Sequence, residues 1–368
     1  MTAKARLILE DGKEFFGQYF TEPKEVFGEV VFNTAMSGYQ EVVTDPSYKN
    51  QCVIMTYPMI GNYGINNQDN ESKKVFLSAV LCKEYVDSPS NWQSVKTLKQ
   101  YLEEFGAAGI ERLDTRTMTL HVRDCGAQRM IITPDLDSSV DLLIDKLKQL
   151  PEMVGSNLAK DVTTDSSYSW KSSQEIDSKL KIAVLDCGVK YNILRHFESR
   201  GCQCEVLSLD EAAAALETSH FDGLFISNGP GDPEPVDQAI QLVQQQIGKI
   251  PIFGICLGHQ LIAHALGGKT YKLKFGHHGI NHPVKNLQTG KVEITSQNHG
   301  FCVDVDSLGP DVIVTHENLY DGTNEGFRHQ KYPLFSVQYH PESAPGPCDS
   351  SYLFDEFVQM MKEAPCHA

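Results

Sequence analysis

Gly254-Ile255-Cys256-Leu257-Gly258 sets one thiol between two glycines, where a short apolar run (Ile252, Phe253) meets an apolar helical stretch ending at Gly267. The pattern G-x-nucleophile-x-G belongs to a sharp strand-to-helix turn, whose backbone crowding admits only small flanking residues. Such a turn points its central side chain outward at a helix N-terminus, where the helix dipole favours an anionic sulfur. Two readings stand side by side: a reactive nucleophile, or a buried structural cysteine beside helix-packing glycines. The second suggestive spacing is Gln338-Tyr339-His340-Pro341-Glu342, an imidazole and a carboxylate two residues apart in a turn stiffened by proline. His340 has the chemistry to take a thiol proton and return it to a leaving amine, with Glu342 fixing the tautomer of the ring. An H-x-E alone is common in surface loops, and it gains weight only beside the cysteine. The third stretch is Ser227-Asn228-Gly229-Pro230-Gly231-Asp232-Pro233. It reads either as a rigid loop whose backbone N–H groups face a ligand or as an ordinary connection.

Alternating strands and helices have to position these groups. Lys181–Leu185, Gln203–Leu207 and Leu224–Ile226 read as strands, and Ile193, Leu194 and Phe197 mark one helix face. Val236, Ile240, Val243 and Ile247 mark another, and the Gln-rich stretch Gln241–Gln246 is its wet side. This alternation predicts βαβ units and a parallel sheet covered on both faces, with ligands bound beyond the carboxyl ends of the strands. After Gly267 shorter strands are expected (Val292–Thr295, Val312–Thr315, Leu334–Gln338), then a terminal helix with Phe354, Phe357, Val358 and Met361 on one face. The first section reads as a mixed α/β unit. It has a hairpin at Asp11-Gly12, strands at Val30–Phe32 and Cys52–Thr56, and helix faces Val95/Leu98/Leu102/Phe105 and Val140/Leu143/Ile144/Leu147. The expected organisation is therefore an N-terminal domain over 1–150, a polar Ser/Thr/Asp-rich connecting segment over 151–179, and an α/β domain over 180–368 that carries the elbow.

Composition narrows the classes. A chain of 368 residues exceeds one ordinary core, and 41% hydrophobic with 22% charged residues is a globular balance. A formal net charge of −16 disfavours nucleic acid as a partner. The opening MTAKARLILEDGKEFF has no apolar leader core and no apolar run reaches spanning length, so a cytoplasmic protein without a membrane partner is expected. The ten cysteines, Cys366 among them, are scattered and lack a paired C-x-x-C, which points to free thiols in a reducing compartment and no zinc. Cys202 and Cys204 share a strand face and suggest packing. His277, His278, His282 and His299 form no coherent ligand set and, with their glycines and Pro283, read as a structured loop; no metal is expected. His259 and His264 on the elbow helix suggest packing or hydrogen bonding, and Asp321-Gly322-Thr323 a turn.

Together, GICLGHQ around Cys256, SNGPGDP and QYHPE resemble the triad-type (class I) glutamine amidotransferase family. Gly28–Tyr48, Ile110–Thr119, Gly188–Arg195, Lys274–Val284 and Gln297–Asp304 narrow the resemblance to the small, glutamine-hydrolysing subunits of carbamoyl-phosphate synthases, and it runs from end to end. The resemblance implies a class I amidotransferase fold for the C-terminal domain and a Cys256–His340–Glu342 triad. Cys256 would attack the side-chain amide of L-glutamine, releasing ammonia and leaving a γ-glutamyl thioester for water to cleave. The backbone N–H groups of Leu257 and Gly229 would hold the oxyanion. Gly231, Gln260, Asn298, Gly300 and Phe301 match glutamine-binding positions, and Ser47 brings a contact from the N-terminal domain. The resemblance also implies a large partner subunit using ATP and Mg2+ to make carbamoyl phosphate from bicarbonate, for arginine and pyrimidine biosynthesis, with no cofactor on this chain. The absence of a G-x-x-x-x-G-K-[ST] loop agrees with that division of labour.

Three competitors remain at this level. The glutaminase part of another synthase would share the chemistry, but the long N-terminal stretch argues against it. A non-catalytic regulatory or scaffold homologue is disfavoured by the presence of Cys256, His340 and Glu342. A cysteine peptidase on the same fold is disfavoured by Gln260 and Asn298.

Overall fold

Apolar residues in KARLIL and EFFGQY flank Asp11-Gly12, and in the computed structural model of the chain Lys4–Leu9 and Glu14–Tyr19 pair as an antiparallel hairpin. The structure describes residues 3–170 and 180–364; residues 171–179 of the expected connecting segment, and Cys366, lie outside that range. The chain divides into two units, Met1–Ser156 with Lys274–Gly279, and Asn157–Leu273 with Ile280–Ala368.

In the first unit the hairpin belongs to a closed barrel. Its strands run in the spatial order Lys4–Leu9, Glu14–Tyr19, Ala108–Glu111, Ala79–Leu81, Gln51–Met55, Val26–Asn33 and Gln128–Thr133, and the last pairs back to the first. The middle pairings are parallel and the rest antiparallel. Leu7, Val30, Cys52, Ile54, Ala79, Ile110 and Met130 are fully buried in one of its apolar clusters. The helix Leu98–Glu104 starts later than its apolar spacing suggests, because Thr97 and Gln100 form a reciprocal capping box. Val95 therefore precedes the helix and is exposed. The helix Val140–Lys148 is capped by Ser139 and buries Leu143 and Leu147 on the barrel. Asp11 in the hairpin turn accepts from His121 Nε2 at 2.7 Å, with Cys125 Sγ 3.9 Å from the other ring nitrogen.

The second unit is built on a sheet whose first five long strands are mutually parallel, in the order Cys202–Leu207, Leu180–Leu185, Gly223–Ile226, Ile252–Ile255 and Leu334–Val337. Both faces are buried, which is why these strands read as near-continuous apolar runs. Ala183, Leu185, Leu224, Ile226 and Ile252 face a cluster built with the helices Ala212–Thr218, Asp237–Gln246 and Leu257–Ala265. Ile182, Val184, Phe225, Phe253 and Ile255 face the opposite cluster, with the helices Tyr191–Ser199 and Tyr352–Glu363. Cys202 and Cys204 are both buried in that second cluster.

As Tyr168 and Trp170 in the polar segment after 150 suggest, that segment is partly ordered by docking: Ala159–Val162 is helical, Tyr168–Ser169 pairs antiparallel with Cys202–Leu207 at the sheet edge, and Tyr168 and Trp170 pack on the second cluster. Two features depart from the expectations. Beyond Leu334–Val337 the sheet turns antiparallel through Asn324–His329 and Val312–Asn318. The expected histidine loop is instead part of one long strand, Lys269–Asn286, followed by another, Val292–Asp304. Its glycines and Pro283 hide the period-two pattern, and Gly276 at φ 73° breaks the regular dihedrals within the strand. Among the described residues, no helix is long and apolar enough to cross a membrane.

Candidate active site

Four neighbouring parallel strands each release one loop from their carboxyl ends: 186–190, 227–232, the elbow at Cys256, and 338–342. That end of an open parallel sheet is where such folds bind ligands.

Cys256 sits between Ile252–Ile255 and Leu257–Ala265 with φ 55° and ψ −106°, a strained conformation for a residue bearing a Cβ. The flanking glycines explain how the turn closes. A Cβ on Gly258 would stand 2.2 Å from the carbonyl oxygen of Ile226, and one on Gly254 would stand 2.5 Å from Ile262 Cδ1. The helix thus packs backbone to backbone on the neighbouring strand, and this fixes where Cys256 points. Gly258→Ala should therefore force the helix off the strand and cost about 1–3 kcal/mol, as overpacked sites do. Gly309→Ala, where an added carbon meets nothing within 4 Å, should be close to neutral. Thermal unfolding of the two variants checks the contrast.

His340 Nδ1 lies 2.6 Å from Glu342 Oε1, both residues being almost wholly buried. Nε2, the other ring nitrogen, has no hydrogen-bond partner, and the ring interacts electrostatically with the Cys256 sulfur. The Cys256 thiol donates to the carbonyl of Asn298 at 3.5 Å. A third group joins this pair: Lys190 Nζ stands 3.0 Å from the same Glu342 oxygen and donates to the Ser343 carbonyl at 2.7 Å. Asn192 Nδ2 donates to the Glu342 carbonyl. Burial alone would raise the Glu342 carboxyl, but Lys190 and then His340 hold it well below the ordinary carboxylate range. Burial pushes the His340 imidazole down, yet the Glu342 carboxylate and then Cys256 outweigh it and hold the ring above the ordinary histidine value. The arrangement suits a ring that carries a proton beside the sulfur and gives it up to a leaving group.

The remaining predicted residues all belong to the second unit, Ser47 excepted. Leu257 opens the elbow helix, where backbone N–H groups have no intrahelical acceptor. Gly229 is buried, and a Cβ there would lie 2.1 Å from the Cys187 carbonyl oxygen, so the loop 227–232 can follow this path only as glycine. Cys187 N donates to Ser227 Oγ at 2.9 Å and Lys190 N to Asn228 Oδ1 at 3.2 Å, tying that loop to the one that delivers Lys190. Gly231 follows with φ 88°. Gln260 spends its amide hydrogens on Phe301 O and Gln338 Oε1, at 2.9 and 3.0 Å, leaving its carbonyl oxygen as the group it can offer a substrate. Asn298, Gly300 and Phe301 lie on the strand Val292–Asp304. Ser47 belongs to the first unit, where it is buried in the short turn Pro46–Tyr48 and its N–H donates to Asp45 Oδ1.

His259 lies behind the elbow with Nδ1 2.9 Å from Ser336 Oγ, and burial keeps it neutral by pushing its pKa to about 3. His264 Nε2 pairs with Thr270 Oγ1 at 2.9 Å. Asp321-Gly322-Thr323 is a turn in which Asp321 Oδ1 accepts from Thr323. At the surface of the first unit Asp11, His121 and Cys125 gather donor atoms of metal-ligating type, but Asp11 Oδ2 is already satisfied by His121 and Gln128. Lys190 and Asn192 were the functional neighbours that motif spacing missed. A lysine in a strand-end loop carries no local sign of the carboxylate it will meet.

Residues 183–360 match the glutamine amidotransferase class-I family, and residues 7–132 match the carbamoyl-phosphate synthase small chain, CPSase domain. The carbamoyl phosphate synthase small chain of Syntrophotalea carbinolica is 48% identical, over 98% of this chain and 98% of its own length. Those of Aquifex aeolicus and Chlorobaculum tepidum are also 48% identical, over 98% and 97% of this chain and 99% and 98% of theirs. With identity of this order along nearly its whole length and a class I amidotransferase domain around Cys256, the chain belongs to the family of carbamoyl phosphate synthase small chains.

Proposed function

We propose that this chain releases ammonia from L-glutamine through a covalent γ-glutamyl thioester on Cys256 and supplies it to a large ATP-using subunit. The observation that carries the reading is the buried His340–Glu342 pair at 2.6 Å, whose second ring nitrogen is left unpartnered beside an elbow cysteine. His340 takes the Sγ proton, and the sulfur attacks the amide carbon of glutamine. The oxyanion accepts hydrogen bonds from the N–H groups of Leu257 and Gly229, each such donor being worth about 10²–10³ in rate. The ring proton passes to the departing nitrogen, so that ammonia leaves and the acyl group stays on sulfur. Water, deprotonated by the same imidazole, then cleaves the thioester to glutamate and restores the thiol. Glu342 holds Nδ1–H throughout, and Lys190 balances its charge. Ser47, Gly231, Gln260, Asn298, Gly300 and Phe301 are the residues assigned to hold the α-amino and carboxylate groups of glutamine.

The name of the relatives, a small chain, implies a large one. That subunit would bind ATP and Mg2+ and make carbamoyl phosphate from bicarbonate and ammonia, for arginine and pyrimidine synthesis; this chain would need no cofactor. Ammonia is largely ammonium near neutral pH, so a protected passage between the subunits follows from the chemistry. If glutamine hydrolysis serves such a partner, adding the large subunit with ATP and bicarbonate should raise the glutaminase rate of the isolated chain at least about tenfold, a change of 1.4 kcal/mol in barrier. A rate unmoved by the partner and its substrates would instead describe a free-standing amidase.

A further inference from the structure

The segment that carries His340 and Glu342 is irregular from Gln338 to Ser351, apart from one bridge between His340 and Ser296. Ser343 and Ala344 within it have φ 60° and 53°, unfavourable for residues with a Cβ. A strained, irregular segment keeps one conformation only when its surroundings over-determine it. Lys190 and Asn192 hold it at Glu342 and Ser343. Glu293, whose carboxylate is hydrogen-bonded to no triad residue among the described residues, holds it on both sides. Ser350 Oγ donates to Glu293 Oε2 at 2.7 Å, Tyr352 OH to Oε1 at 2.9 Å, and Tyr339 OH to Oε2 at 3.4 Å. Tyr339 is the residue before His340, while Ser350 and Tyr352 close the far end of the segment, and Tyr352 opens the terminal helix. Next along the strand, Ile294 N donates to Asp349 Oδ2 at 3.0 Å, and Ser296 O accepts from His340 N at 2.9 Å. Glu293 is 6% exposed, Ser350 3% and Tyr339 0%, so water cannot substitute for the Ser350 and Tyr339 bonds at little cost; Tyr352 is partly open to solvent.

We propose that Glu293 is a positioning residue: its carboxylate gathers three hydroxyls from the two sides of the 339–352 segment and so sets where His340 stands relative to Cys256. The inference rests on the reading of Cys256, His340 and Glu342 as the catalytic groups. A misplacement of about 1 Å in such a group can cost on the order of 10² in rate without altering how substrate binds. The role belongs to the turnover step, since the hydrogen bonds of the Glu293 carboxylate go to Tyr339, Ser350 and Tyr352 and to none of the residues assigned to glutamine binding.

The test uses the chain assembled with its large subunit and measures steady-state glutamine hydrolysis. Glu293→Ala should lower kcat about 10- to 100-fold with KM for glutamine within about twofold. Glu293→Gln keeps a carbonyl oxygen and the side-chain shape, and should return kcat to within about threefold of the parent. An unchanged kcat in Glu293→Ala, a loss seen in KM alone, or a Gln variant as impaired as the Ala one would overturn the proposal. Should the Ala variant fail to fold, Ser350→Ala removes the shortest of the three bonds and keeps the carboxylate. Its kcat should fall about three- to tenfold at constant KM, and a parental kcat would overturn the proposal. Cys256→Ser in the same assay separates the two levels. Retained hydrolysis there would overturn the active-site reading itself, whereas a dead Cys256→Ser beside a fully active Glu293→Ala would overturn the positioning role alone.

Discussion

Cys256→Ser is expected to abolish glutamine-driven carbamoyl phosphate formation in the assembled complex while leaving synthesis from added ammonium intact. The loss in glutamine hydrolysis should reach about 10⁴-fold or more, the scale at which removing one member of a triad leaves only binding and oxyanion stabilisation. The physical case starts from the backbone. Cys256 is held at φ 55° by glycines that allow helix and strand to touch, so a serine there occupies the same place with little change in packing. What changes is the nucleophile, because a hydroxyl needs far more help than a thiol to give up its proton. Steady-state assays with each nitrogen donor read the difference directly. Loss of both activities would mean a damaged complex, and loss of neither would remove Cys256 from the chemistry.

The second large effect concerns the pair behind the sulfur. His340→Asn should reduce hydrolysis about 10³- to 10⁵-fold, whereas Glu342→Gln should be milder by about one to two orders of magnitude, because the ring survives and loses only its orienting charge. Rapid-quench measurement of thioester formation separates them; equal or reversed losses would contradict an orienting role for Glu342. Glu342→Gln has a further consequence, since it strands the buried Lys190 ammonium, and breaking a buried pair in this way costs about 3–5 kcal/mol. The pH dependence has a definite sign. The folded Glu342 carboxyl is held below its ordinary value of 4.5, so its contribution to stability is full above that pH and is lost as pH falls towards the depressed folded value. His340 behaves oppositely: its folded value lies above the ordinary 6.5, so its contribution is full below that and fades as pH rises towards the elevated one. Unfolding of the parent should therefore become easier as pH falls below 4.5 and again as it rises above 6.5, which thermal unfolding across that range reads.

Much of the site was legible locally because its requirements are local. The glycines flanking Cys256 answer to a contact made within one strand–turn–helix, and His340-Pro341-Glu342 needs only two residues of separation to set an imidazole against a carboxylate at 2.6 Å. Apolar runs such as KIAVL and LFI announce strands buried on both faces, and Thr97 with Gln100 could have announced the true start of the helix that Val95 seemed to extend. Where polar and glycine-rich composition masks periodicity, as in Lys269–Asn286, the pattern fails and a strand reads as a loop. By itself, then, the sequence determined the elbow, the dyad, the parallel α/β core and the kinship of the chain. Only the tertiary structure decided that the first strands close into a barrel, since closure depends on Gln128–Thr133 pairing with both Lys4–Leu9 and Val26–Asn33. It alone assigned Lys274–Gly279 to the first unit, brought Lys190 to Glu342 and gathered Tyr339, Ser350 and Tyr352 around Glu293. Dihedral preferences and side-chain periodicity act over a few residues and can be read from them. The partner of a buried charge is chosen by the packing of distant segments, and no short window of sequence contains it.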